Sequence, residues 1–132
     1  MVCPYCKKSS QVTNSRHQKR PNSVWRRRKC LGCGAIWTSV ERPEYATIWR
    51  VSCGGHLLDF MPETLLISLY KALEHRKSAD VDSKHIYETV LQKLASKHSA
   101  VLSTDLIKKT SYDILRRYDK VAAALYQVTH AN

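Results

Sequence analysis

Four cysteines carry the clearest chemistry in this chain: Cys3-x2-Cys6, then 23 residues, then Cys30-x2-Cys33. Two intervening residues let both thiolates of a pair converge on one ion from a tight turn. Two such pairs flanking a strand-sized insertion make the zinc-ribbon arrangement. Pro4 stiffens the first turn, and Gly34 is expected to permit close backbone approach after the second pair. Four thiolates complete a tetrahedron and leave no position for a catalytic water, so the single expected Zn2+ is structural. Cys53 has no partner at ligand spacing and reads as a small residue in the Cys53-Gly54-Gly55 turn. Of the six histidines only His17 falls inside the ribbon, as a surface or nucleic-acid contact. No Cys/His, Ser/His/Asp or paired-carboxylate arrangement stands out. Asp80, Asp82 and Asp105 read as helix caps or starts. No enzyme is expected.

A basic run, Val24-Trp25-Arg26-Arg27-Arg28-Lys29, leads into the second cysteine pair. As a strand it alternates, with Arg26 and Arg28 on one face and Trp25, Arg27 and Lys29 on the other. Arginine forks suit phosphate oxygens and guanine edges. Neutralising about six phosphates would give a log–log salt slope near −5. Trp25 and Trp37 are expected to pack over the zinc site rather than to stack on bases.

Charge separates the chain into two parts. Of the formal +11, residues 1–55 hold +9 and residues 56–132 hold +2, and residues 1–40 contain no acid. A field that one-sided attracts a polyanion, nucleic acid before membrane. No apolar run approaches the roughly 20 residues that span a bilayer, and the N-terminus has no hydrophobic signal segment. The chain reads as cytoplasmic and nucleoid-associated, where paired cysteines point to metal.

The elements that must position these groups follow from pattern. Short strands are predicted near 10–16, 23–29 and 35–40. A strand over 45–51 would return as 56–60 in a hairpin. Pro62 opens a helix with Leu65, Leu69, Ala72 and Leu73 inward. A second, about 82–98, turns Ile86, Val90, Leu91 and Leu94 inward. A third follows Ser103 with Leu106, Ile107, Ile114 and Leu115. A fourth follows Asp119 with Val121, Ala122, Leu125 and Val128. The expected fold is α+β: an antiparallel zinc ribbon with its connection over 1–44, and a hairpin with a four-helix bundle over 45–132.

The run Met-x-Cys-Pro-Tyr-Cys, then Arg-Arg-Arg-Lys-Cys-Leu-x-Cys, then Trp-Thr-Ser-Val-Glu resembles the N-terminus of the NrdR family, bacterial repressors of ribonucleotide reductase genes. Lys71-Ala-Leu-Glu-His-Arg76, Val101 to Ile107 and Leu115-x-x-Tyr-Asp-Lys-Val-Ala122 resemble helices of the ATP-cone that follows the ribbon there. The resemblance implies double-stranded DNA carrying operator boxes as partner, homo-oligomers formed through the cone, and ATP or dATP as effectors. The ribbon would meet DNA through Arg16, Arg26, Arg27, Arg28 and Lys29, with Arg42 near the connection. The nucleotide would meet Arg50, Val51, Ser52, Cys53, Gly55, His56 and Lys71. Ser52 and Cys53 stand where the family has Lys and Arg, and Thr64 where its first helix brings another Lys. Two alternatives stay open: a nucleotide-insensitive cone that binds partners through mixed oligomers, and an RNA-associated ribbon.

Overall fold

The computed structural model describes residues 1–131 and divides the chain into two compact units, Met1–Pro43 and Glu44–Asn132. The first is a three-stranded antiparallel sheet, β1 (Ser10–Gln18), β2 (Ser23–Cys30) and β3 (Ile36–Glu41), in the order β1-β2-β3. β1 and β2 pair from Ser10↔Cys30 to Gln18↔Ser23, with the register shifted between Val12 and Asn14. Thr13 is the extra residue of this β-bulge, a device that bends and twists the strand. Its hydroxyl donates to the Arg27 carbonyl, opposite the basic run. The hydrophobic residues buried in this unit are Cys3 and Cys30. There is almost no apolar core.

The second unit contains α1 (Tyr45–Ile48), β4 (Arg50–Cys53), β5 (His56–Asp59), α2 (Pro62–Leu73), α3 (Ala79–Ala95), β6 (Val101–Ser103), α4 (Thr104–Tyr118) and α5 (Lys120–Thr129). Its sheet is mixed: β4 pairs antiparallel with β5 and parallel with β6. The helices close over this sheet around Leu69, Leu73, Val90, Leu91, Leu94, Leu102 and Leu115, each at most 1% exposed. The fold is α+β, as expected. Among the described residues, no helix is long and apolar enough to cross a membrane.

Several sequence expectations need correction. The strand predicted over 45–51 begins only at Arg50, after one helical turn. In that turn the Thr47 amide and hydroxyl both donate to the Glu44 carbonyl, at 2.9 and 2.7 Å. Tyr45 stacks on Trp49 at 5.0 Å, and Trp49 meets Phe60 edge-on at 5.3 Å. Burial of Trp49, spaced four residues from Tyr45, overrides the β propensity of the run. Cys53 ends β4 rather than lying in the turn. The turn is Gly54-Gly55, both at positive φ (55° and 82°), the geometry of a two-residue hairpin loop. β6 was not expected. The second helix starts three residues early and ends at Ala95.

The inward face of the last helix also differs. Val121, Leu125 and Val128 are 57%, 45% and 79% exposed, while Ala122, Ala123 and Tyr126 are buried. Small residues let α5 lie close to its neighbours, and Tyr126 fills the remaining gap. On α4, Leu115 is buried as predicted. Leu106, Ile107 and Ile114 only border the core, whereas Thr110 and Ser111 are inside.

Candidate metal centre and basic face

Two similar turns bring the cysteines together. After Cys6 the chain passes through Lys7 at φ 63°, and after Cys33 through Gly34 at φ 75°. A Cβ at Gly34 would meet nothing within 4 Å. The left-handed backbone, rather than the close approach expected from the sequence, is what glycine serves there. The Cys3 amide donates to the Lys8 carbonyl and the Cys30 amide to the Ala35 carbonyl, both at 2.8 Å, which fixes each turn.

The four Sγ atoms all lie within 4.8 Å of one another, with Cys3–Cys33 at 3.7 Å and Cys6–Cys30 at 3.4 Å. Tetrahedral zinc with Zn–S near 2.3 Å sets sulfurs about 3.8 Å apart, so the cluster fits that ion. The Gly32 and Cys33 amides both donate to Cys30 Sγ, at 3.2 and 3.3 Å. The Cys33 amide foremost, against the opposing effect of burial, holds the Cys30 thiol down to about 6. For Cys33 the Ala35 amide pulls the other way, but desolvation and the neighbouring thiols prevail and push it up to about 11. Four thiols this close cannot all ionise without a cation among them, and a divalent ion supplies it. Cys53 is exposed and lies outside the cluster.

The basic residues fall on two faces of the sheet. Register places Arg16 opposite Trp25, and Arg27 opposite Thr38. Arg27 and Lys29 are exposed, and the Arg16 guanidinium sits 5.9 Å from the Trp25 ring centroid. On the other face Arg26 is paired with Glu41 at 2.7 Å, and Arg28 Nε donates to Ser39 Oγ at 2.9 Å. Arg42 follows β3 directly, outside the sheet. Trp25 is five residues along β2 from Cys30, about 16 Å at strand rise, so it does not pack over the metal as expected. Trp37 is half-buried opposite Arg28. Sequence reasoning missed Thr13, Ser39 and Glu41. Thr13 bonds the Arg27 backbone, while Ser39 and Glu41 reach Arg28 and Arg26 diagonally across the β2–β3 ladder.

Of the residues expected to meet nucleotide, Arg50, Val51, Ser52, Cys53, Gly55 and His56 share the β4–β5 hairpin, and Lys71 lies on α2. Val51 lines a cavity of about 280 Å³ between the hairpin and the helices. Lys71 lines an adjoining one of about 610 Å³. Arg50, Ser52, Cys53, Gly55 and His56 line neither. Arg50 is held within the hairpin, 3.5 Å from Asp59, and donates to the Leu57 and Leu58 carbonyls. The first cavity sets Lys108 against Asp59 and the second Lys71 against Glu74, so each is formally neutral with its histidines uncharged. A triphosphate needs several cationic or amide partners. On this hairpin Arg50 faces Asp59, and Ser52 and Cys53 supply no cation.

A four-cysteine ribbon with a basic sheet, preceding a mixed α+β unit, defines a zinc-ribbon protein. Comparison with known proteins narrows this. Residues 1–41 match the family described as "Transcriptional repressor NrdR-like, N-terminal domain". The chain is 32% identical over 127 residues to Transcriptional repressor NrdR of Ligilactobacillus salivarius, covering 96% of this chain and 81% of that one. It is 30% identical to the protein of the same name from Fervidobacterium nodosum, covering 92% and 80%. It is also 30% identical to Transcriptional repressor NrdR 2 of Paramagnetospirillum magneticum, covering 100% and 87%. The chain belongs to the NrdR family of transcriptional repressors, a family of regulators rather than enzymes.

Proposed function

We propose that this protein is a zinc-dependent repressor that binds double-stranded DNA at paired operator boxes through the ribbon face carrying Arg16, Arg27 and Lys29. The carrying observation is the exposure of Arg27 and Lys29 in a chain whose first 40 residues hold no acid. Arg26 and Arg28, engaged by Glu41 and Ser39, add field more than direct contact. Arg42 extends the basic surface past β3. Arg27→Ala is expected to weaken operator binding about tenfold and to make the salt slope shallower by about 1. Arg28→Ala is expected to change affinity less, and both variants keep zinc. A low-salt gel shift with metal analysis checks this. Equal affinity of Arg27→Ala and the parent sinks the reading, and preference for RNA over operator duplex favours an RNA-associated ribbon.

Self-association is assigned to the second unit. Val121, Leu125 and Val128 recur at i, i+4 and i+7 on α5 and form an exposed apolar stripe, as a helix with an intermolecular partner would. Leu125→Glu is expected to shift the solution mass to the smallest species while the melting temperature holds. An unchanged mass distribution counts against this face, and assembly only with a second cone-bearing protein favours mixed oligomers. Sensing of ATP or dATP through the hairpin is weakened in this protein, because Ser52 and Cys53 stand where the family has Lys and Arg. Action on DNA places the protein in the cytoplasm, at the nucleoid.

A further inference from the structure

The second unit does hold a concentration of positive charge, away from the hairpin. Lys93 lies in the last turn of α3, and Lys97 follows just past its end; Lys109 and Arg117 lie on α4. These four line one groove of about 500 Å³ between the two helices, and all four are exposed. Leu106 and Ile114, both half-buried, also line it, and Asp113 is the one acid there. The lining residues carry a formal +3, against zero for each of the two cavities near the hairpin. Among the described residues none of the four cations has an ion pair.

Helix dipoles account for part of this. Lys93 and Arg117 sit in last turns, where a cation is favourable. Lys109, near the middle of α4, has no such reason; Asp113, one turn from both Lys109 and Arg117, offsets one of the four charges, and the remaining +3 favours entry of an anion. Lys109 and Arg117 are eight residues apart on one helix, about 12 Å. The charges line a concavity rather than a flat face, which suits a molecule that enters it better than a duplex laid across it. The apolar side chains offer a surface that inorganic phosphate alone would leave uncovered.

We infer that the α3–α4 groove binds a small phosphate-bearing molecule. Its phosphates are held by Lys93, Lys97, Lys109 and Arg117, and its less polar part lies against Leu106 and Ile114. The inference does not depend on how the ribbon meets DNA.

The test is a nuclear magnetic resonance titration of the isotope-labelled, zinc-loaded full chain, read residue by residue because the ribbon also attracts anions. The probes are tripolyphosphate, ATP and adenosine. Saturable shifts of amides around Lys93 and Lys109 are expected with tripolyphosphate and, at lower concentration, with ATP, and none with adenosine. The double variant Lys93→Gln/Lys109→Gln is expected to weaken these shifts about tenfold, as loss of two charge-assisted contacts implies. It should leave shifts in the ribbon unchanged. Lys71→Gln, in the cavity near the hairpin, should bind like the parent. Shifts confined to the ribbon or to the Gly54-Gly55 hairpin would overturn the inference. So would groove shifts that persist in the double variant, or that appear with duplex DNA and not with tripolyphosphate.

Discussion

Replacing Cys30 with Ser is expected to unfold the ribbon and abolish duplex binding while the second unit stays folded. Cys30 is 2% exposed, ends β2, and accepts two amide protons on its sulfur. In a unit whose buried hydrophobic residues are Cys3 and Cys30, the metal stands in for a core. Zinc in small domains is worth about 10–16 kcal/mol of folding free energy, most of which a hydroxyl in place of one thiolate forfeits. Chelation of the parent should have the same effect and be reversed by added zinc. The readouts are the amide spectrum of residues 1–43, which should collapse to random-coil positions, and a gel shift, which should show no complex at low salt. The spectrum of residues 44–131 should hold, because its hydrophobic core is separate. A variant that keeps a dispersed ribbon spectrum and the parent's affinity refutes the assignment.

The second large effect is expected at Arg76. Its Nε donates to Asp82 Oδ2 at 2.8 Å and its Nη1 to Asp119 Oδ2 at 2.9 Å, and it lies 4.9 Å from the Tyr118 ring centroid. Ser78 Oγ also donates to Asp82, and His75 Nε2 is 3.0 Å from Asp119. Asp119 in turn caps α5 by accepting from the Val121 and Ala122 amides. One guanidinium thus joins the end of α2, the start of α3 and the α4–α5 corner. Arg76→Leu leaves two largely enclosed carboxylates without their cation. The melting temperature of the second unit should fall by about 5 °C or more at neutral pH.

The same site sets an acid response. Arg76 first, then Ser78, holds the Asp82 carboxyl down to about 2. The Ala122 amide first, then His75 and Arg76, holds Asp119 well below the usual carboxylate range, against the effect of burial. Both folded values lie below the unfolded value of about 3.9, so the stabilisation is complete above that pH and is lost as pH falls through the folded values. The parent's second unit should lose stability between about pH 4 and pH 2, and Arg76→Leu should show a shallower dependence there. Matching acid curves for the two proteins would show that the carboxylates do not depend on Arg76.

What the sequence made legible followed from rules that act locally. The two Cys-x2-Cys pairs required the sulfur cluster, because spacing alone fixes how thiolates converge. The period along Leu65, Leu69, Ala72 and Leu73 marked a buried face, because one helix side must leave water. The failures lie where distant parts decide. β6 is three residues long and exists because Leu102 completes the sheet beside Val51. Trp49 leaves the predicted strand because Phe60 and Tyr45 receive it. On α5 the larger aliphatic residues marked the wrong side, since close packing there favours Ala122 and Ala123. The basic site was legible as a composition, but not which arginines are engaged. That depends on the pairing of β2 with β3, which brings Glu41 and Ser39 diagonally to Arg26 and Arg28.

The sulfur cluster also has a mechanical consequence. It grips one end of the β1–β2 ladder, at Ser10↔Cys30, and the ladder runs to Gln18↔Ser23, about 25 Å away. Such a sheet behaves as a cantilever. Its root has fixed position and angle, while its tip at Lys19–Asn22 lies at the far end of the rungs. A bulge is the natural torsion point of such a beam, and Thr13 puts it near the root, level with Arg27. On the proposed reading, Lys29 meets the duplex from the stiff end, on the root side of the bulge. On the same reading, Arg16 meets it from the compliant end, beyond the bulge.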